Sequence, residues 1–125
     1  MNKRTVVIIE DDELTRMVMQ RILEREFKFN IVLFRNGLEG LEYLQNNTPS
    51  LIILDLMLPG KNGFEILKAL RQNRANDNSK IILVSAKSNS GDIERGFDLS
   101  ADEYITKPFQ QQEFVVRIRK LMRAS

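Results

Sequence analysis

The sequence predicts an α/β fold: a doubly wound, five-stranded parallel sheet with helices on both faces. Three observations lead there. Apolar runs of strand length alternate five times with amphipathic stretches of helical period. The central run, Leu51-Ile52-Ile53-Leu54, is apolar on both faces, as a strand covered on both sides must be. Charged and hydroxyl residues stand at the carboxyl ends of these runs, where open α/β sheets bind ligands.

The elements follow in order. Residues 5–10 form the first strand. A helix over 13–27 follows, with Leu14, Met17, Val18 and Ile22 at inward i, i+3, i+4, i+8 positions. Residues 30–34 are mixed in polarity and suit an edge strand. Asn36 with Glu39 three residues on reads as a cap opening a helix to about residue 44. Asn46-Asn47-Thr48-Pro49-Ser50 is a loop by composition. Residues 51–55 are the third strand. Asn62 and Glu65 repeat the capping pattern, and the helix continues through Ile66, Leu67 and Leu70. Residues 72–79 are a polar loop, 80–85 the fourth strand, 92–99 a helix and 103–106 the fifth strand, stopped at Pro108. The last helix buries Phe114, Val115, Ile118, Leu121 and Met122.

A chain of 125 residues has the size of one domain and room for one continuous core. It contains no Cys and no His, which removes thiol chemistry, disulfides, and imidazole as base, ligand or phosphoryl carrier. Any phosphohistidine step requires a partner. The apolar runs fall far short of the roughly 20 residues of a membrane span. Met1-Asn2-Lys3-Arg4 leads directly into a strand, so we read no signal peptide, no membrane association and a cytoplasmic location. Nineteen basic residues nearly balance 17 acids, and no long basic run suggests nucleic acid as a partner of this domain. Arg117, Arg119, Lys120 and Arg123 read as a solvated helix face with cations near the C-terminal dipole.

Chemistry concentrates at four run ends. Glu10-Asp11-Asp12 follows Val6-Val7-Ile8-Ile9, Asp55 follows the central run, Ser85 follows Ile81-Ile82-Leu83-Val84, and Lys107 follows Tyr104-Ile105-Thr106. The triplet alone suits a helix N-terminus. Opposite Asp55 it suits a divalent metal, and hard oxygen ligands favour Mg²⁺. Asp11 and Asp55 would be direct ligands, Glu10 would reach through water, and the Met57 backbone carbonyl would complete the protein's share. Asp12 caps or starts the following helix. A carboxylate at the mouth of a buried strand needs a partner. Asp55 reads as a nucleophile toward phosphorus, giving an acyl phosphate. The Ser85 hydroxyl would donate to a phosphoryl oxygen, and the Lys107 ammonium would pair first with Asp55 and then with the phosphoryl group. Tyr104 packs at the sheet edge or acts as a rotamer switch.

Four segments in order now carry a family likeness: Val7-Ile8-Ile9-Glu10-Asp11-Asp12; Leu54-Asp55-Leu56-Met57-Leu58-Pro59-Gly60 with Asn62-Gly63-Phe64-Glu65; Val84-Ser85-Ala86; and Ala101-Asp102-Glu103-Tyr104-Ile105-Thr106-Lys107-Pro108-Phe109. The chain resembles the receiver domain of two-component response regulators over nearly all its length, as a single domain spanning 1–125. The resemblance implies a flavodoxin-like sheet of order 2-1-3-4-5, Mg²⁺ dependence, and phosphotransfer to Asp55 from a sensor histidine kinase or phosphotransfer protein. It also implies a cis peptide before Pro108, and a switch in which Ser85 moves toward the phosphoryl group while Tyr104 turns inward. The face of the fourth helix, fifth strand and fifth helix would then engage a partner or a second copy. There Asp98, Asp102, Glu103, Arg117 and Arg119 resemble the charge pattern of receivers that dimerise in the winged-helix transcription factor subfamily. Ile93 stands where that subfamily often has a basic residue.

Departures from the pattern are Asn62 for Asp, Ser100 for Gly, Lys80 for Pro and Ser85 for Thr. Met57 and Lys87 occupy variable positions beside the site. Three rival readings are weaker. An aspartyl-phosphate phosphatase typically needs an acid two residues after the nucleophile, where Met57 stands. A nucleotide or flavin module needs a Gly- or hydroxyl-rich phosphate loop after the first strand, where the acids stand. A receiver-like interaction module independent of phosphorylation would not need Asp11, Asp55, Ser85 and Lys107 together. The expectation is a signalling switch rather than a turnover enzyme. The end at Arg123-Ala124-Ser125 reads as a natural stop or as a cut before an effector domain, often a DNA-binding one, with the lean toward a fragment or modular receiver.

Overall fold

The computed structural model describes residues 4–123; Met1, Asn2, Lys3, Ala124 and Ser125, which bear on the expectations for the two ends, lie outside the described residues. Five strands form one parallel sheet: β1 (Arg4–Ile9), β2 (Phe29–Phe34), β3 (Leu51–Asp55), β4 (Lys80–Ser85) and β5 (Glu103–Thr106), in the order β2-β1-β3-β4-β5. Five helices join them: α1 (Glu13–Glu26), α2 (Gly37–Asn46), α3 (Gly63–Gln72), α4 (Ser90–Asp98) and α5 (Gln111–Arg123). The expected strand order and parallel pairing are observed.

Alternation along each strand divides the core in two. Val6, Ile8, Ile53, Ile82, Val84 and Ile105 face α1 and α5, against Met19, Leu23, Phe114 and Ile118. Val7, Ile9, Ile52, Leu54, Ile81 and Leu83 face the other way, onto Leu44, Phe64, Ile66 and Leu67 of α2 and α3. Burying a side chain of this size contributes about 1.5–3 kcal/mol. β3 is buried along its whole length, and β2 alternates between half-buried and exposed, as an edge strand does. All five residues expected inside α5 are buried.

α1 requires a correction. Its buried residues are Arg16, Met19, Ile22 and Leu23, whereas Leu14, Met17 and Val18 are exposed. Ile22 belongs to both the expected and the observed arcs, so a pattern drawn through it fits either. Cap geometry sets the phase: the Asp12 side chain accepts from the Thr15 amide, and Arg16 turns inward to the carbonyls that end β1. Elsewhere the differences are at boundaries. α2 runs two residues past the expected end. α4 starts at Ser90 because Asn89 caps it. The loop after α3 contains a single 3-10 turn, Arg74–Asn76.

Two backbone features position the strand end that carries Asp55. Met57–Leu58 pairs with Lys61–Asn62 as a short antiparallel hairpin, turned by Pro59 and by Gly60 at φ +75°. Gly63 then starts α3 directly on this segment. A Cβ there would overlap the Leu56 Cα and come within 2.8 Å of the Asp55 carbonyl oxygen.

At the other end of the molecule, α4 closes with Ser100 N–H on Phe97 O (2.9 Å) and Ala101 N–H on Gly96 O (3.0 Å), the bond pair of a Schellman cap. Ser100 holds the left-handed position at φ +72°. Its Cβ costs energy there that glycine avoids. Ser100→Gly is expected to stabilise the fold by about 0.5–1 kcal/mol, read as a higher urea midpoint; an unchanged or lower midpoint contradicts this account of the cap.

Candidate functional site

The parallel register brings the strand ends to one level. Ile9 pairs with Leu54, Asp55 with Val84, and Ser85 with Thr106. Asp55 and Ser85, which end their strands, and Glu10 and Lys107, just past theirs, therefore open onto a common edge. Lys107 is held there by its own amide, which donates to Ser85 O at 2.8 Å, and the Lys107-Pro108 peptide is cis.

The Lys107 side chain turns back across the sheet end. Its Nζ lies 2.7 Å from Glu10 Oε1 and 3.2 Å from Asp55 Oδ2. The two acids are almost wholly buried, with side-chain exposures of 1% and 5%. Asp55 Oδ1 accepts from the Met57 amide (3.0 Å), and Glu10 Oε2 from the Asp12 amide (3.3 Å). Asp11 is exposed at the rim. One carboxylate oxygen from each of Glu10, Asp11 and Asp55 lies within 4.8 Å of the others, close enough for a single metal ion to touch all three. Asp12 stands apart: its carboxylate takes the Thr15 hydroxyl and amide, and these bonds hold it below the usual carboxylate range.

Three acids around one ammonium leave an excess of negative charge. Glu10 bears the consequence. Burial, then its hydrogen bond to Asp55, push its carboxyl up to about 8, against the opposing pull of Lys107. The Lys107 ammonium is raised by Glu10 and Asp55, although burial, its largest single influence, acts the other way. At neutral pH the metal-free pair thus retains a proton on Glu10. A dication offers a better counter-charge than that proton, because bound carboxylates must be ionised.

Ser85 is fully buried, and its Oγ accepts from the Lys87 amide at 3.1 Å. Tyr104 is 7% exposed and donates to Lys87 O at 2.7 Å, with the Ser85 hydroxyl also in reach. Burial raises the Tyr104 hydroxyl above its ordinary value. Tyr104 is therefore packed inward, with its hydroxyl on the loop after β4.

Of the five residues assigned to the partner face, four make contacts within the chain and one stands in solvent. Glu103 pairs with Arg117 and, at 3.8 Å, with Lys120, so β5 and α5 are joined within the chain. The Asp102 carboxylate turns to Arg71 (2.9 Å) and the Ile81 amide (2.8 Å). Arg119 lies 5.8 Å over the Phe27 ring, which follows α1. Asp98 ends α4 in solvent.

Sequence reasoning missed Arg16, which donates to the Glu10 and Asp11 carbonyls. It also missed the Lys87 backbone, which contacts both Ser85 and Tyr104. The available signal for Arg16 was its place four residues after the capping Asp12.

The raised Glu10 carboxyl makes a prediction. An unfolded Glu ionises near 4.5, whereas the folded one ionises near 8. Between these values the native state binds more protons, so the stability of the metal-free protein falls as pH rises from about 4.5 to about 8. Glu10→Gln is expected to flatten this dependence in urea titrations across that window. An unaltered slope contradicts the protonated Glu10.

Comparison with known proteins agrees with this geometry. A family model described as the response regulator receiver domain matches residues 6–119. The response regulator ArlR of Staphylococcus saprophyticus is 40% identical over 118 residues, 94% of this chain and 52% of that protein. The transcriptional regulatory protein CpxR of Escherichia coli is 36% identical over 125 residues, all of this chain and 51% of that protein. The chain thus spans about half the length of these curated relatives. The crystal structure of a DNA-binding response regulator of the LuxR family from Staphylococcus aureus superposes with a TM-score of 0.85 at 28% identity, covering 94% of this chain and 98% of that one. The chain belongs to the response regulator receiver domain family.

Proposed function

We propose that this domain is a phosphorylation-activated switch of a two-component system, with Asp55 as the phosphoryl acceptor. The observation that carries the reading is the Lys107 ammonium shared between Glu10 and Asp55, beside three carboxylate oxygens within 4.8 Å. The domain acts as a signalling element rather than a turnover enzyme.

The donor is a sensor histidine kinase or phosphotransfer protein, because this chain has no histidine. An Asp55 carboxylate oxygen forms the new O–P bond as the partner's N–P bond breaks, and the imidazole leaves with its electron pair. Glu10, Asp11, Asp55 and the Met57 carbonyl would hold Mg²⁺. The donor set is all oxygen and anionic, which suits that ion. When bound, Mg²⁺ offsets the charge on the phosphoryl oxygens. Lys107 exchanges its contact with Asp55 for one with the phosphoryl group, and Ser85 donates its hydroxyl to a second oxygen. Charge-assisted hydrogen bonds of this kind are about twice as strong as neutral ones.

The exposed side of α1 supports a helical partner. Leu14, Thr15 and Val18 form an open cavity of about 440 Å³ with Ala86, Lys107, Pro108 and Phe109, adjoining the acceptor. It is an apolar seat next to the reacting atoms. The output passes through Ser85 and Tyr104 to α4, β5 and α5. Glu103 and Arg117 lie on that face, where a second copy or an effector domain docks. Relatives named as transcriptional regulatory proteins support a transcriptional output, and such an output would act in the cytoplasm. A phosphatase would need an acid where Met57 presents an exposed thioether.

Incubation with acetyl phosphate and Mg²⁺ is expected to add one phosphoryl group by intact mass, and chelation or Asp55→Asn to abolish it. No Mg²⁺-dependent adduct, or an adduct that survives Asp55→Asn, would falsify the acceptor assignment.

A further inference from the structure

Among the buried charged residues described, Arg16 is the single cation, and it has no carboxylate within 4.0 Å. A buried guanidinium without a direct counter-ion is costly unless its donors are satisfied and opposite charge lies near. At the end of β1, backbone carbonyls supply acceptors and an acid lies near. Arg16 NH1 donates to Glu10 O at 2.8 Å and to Asp11 O at 2.9 Å. Its positive charge also favours the ionised form of Asp12.

The two carbonyls flank one residue. Glu10 O belongs to the peptide group before Asp11, and Asp11 O to the peptide group after it. Each peptide group is planar, so restraining its carbonyl restrains rotation of the whole group. Holding both planes on one nitrogen leaves Asp11 little freedom in φ or ψ. The direction of its Cα–Cβ bond follows. This matters because Asp11 is the exposed acid of the three, whereas Glu10 and Asp55 are locked by Lys107 and by backbone amides. Something other than side-chain burial must aim the Asp11 carboxylate.

We propose that Arg16 is a positioning residue for the cation site. By clamping the peptide groups on either side of Asp11, it aims the Asp11 carboxylate at the Glu10–Asp55 pair, from a place that contacts neither cation nor phosphoryl group. The proposal rests on the cation-site reading above. A lysine at position 16 retains the charge and a donor for the carbonyls, while a methionine retains only the volume.

The test is calorimetric titration of metal-stripped wild type, Arg16→Met and Arg16→Lys with Mg²⁺, alongside thermal unfolding. Loss of a group that orients a ligand typically weakens metal affinity about 10–100-fold, and that loss is expected for Arg16→Met, with most of the affinity restored in Arg16→Lys. The Mg²⁺ concentration for half-maximal phosphorylation by acetyl phosphate should shift by the same factor, with the rate at saturating Mg²⁺ retained. A folded Arg16→Met with wild-type affinity overturns the proposal, as does tighter binding, which would mean that the guanidinium only repels the ion. If Arg16→Met does not fold, Arg16→Gln replaces it: affinity below that of Arg16→Lys supports the clamp, and equal affinity overturns it. Wild type that binds no Mg²⁺ removes the cation site and Arg16's role with it. Wild-type binding that Arg16→Met leaves intact removes Arg16 alone.

Discussion

Burying two carboxylates at the mouth of a parallel sheet is unfavourable, and the single ammonium of Lys107 makes it tolerable. Its contacts with Glu10 and Asp55 cross from the strand end of β5 to those of β1 and β3. Removing one partner of such a buried pair typically costs 3–5 kcal/mol, because the remaining charge stays desolvated. The pairing is still incomplete, since one cation faces three acids. Burial, then the hydrogen bond to Asp55, keeps a proton on Glu10 at neutral pH.

The scaffold supports this arrangement at each level. Continuous apolar strands bury both sheet faces and hold the register that aligns the four strand ends. Gly63 lets α3 begin against the Asp55–Leu56 backbone, so the loop carrying Met57 stays short and its amide reaches the acceptor carboxylate. On the opposite side of the site, the Lys87 backbone receives Tyr104 and donates to Ser85. Ser85 and the Tyr104 ring are thus joined through the backbone of one residue of the β4–α4 loop.

Much of this was legible in the sequence, for identifiable reasons. β3, β4 and β5 were bounded to the residue because apolar runs broken by polar end-groups have few alternatives. The caps Asp12, Asn36 and Asn62 were legible because short polar side chains serve orphan helix amides. The convergence of Glu10, Asp11, Asp55, Ser85 and Lys107 followed from the parallel topology alone. The phase of α1 was not legible, because Ile22 serves two arcs and an arginine is normally counted as outside. Arg16 faces in because backbone carbonyls await it, a fact of tertiary structure. The Asp102 pairing was not legible for the same reason: its partner Arg71 lies 31 residues away in sequence. Arg119 shares the charge pattern of α5, but its neighbour Phe27 comes from the far end of α1.

The central claim is that one cation sits between the acids after β1 and the acceptor that ends β3. Anomalous diffraction from crystals soaked in Mn²⁺, as a stand-in for Mg²⁺, tests it most directly. The account predicts a single peak at about 2.1 Å from carboxylate oxygens of both Asp11 and Asp55. A peak bonded to neither, or an empty site in crystals that bind the ion elsewhere, would contradict it.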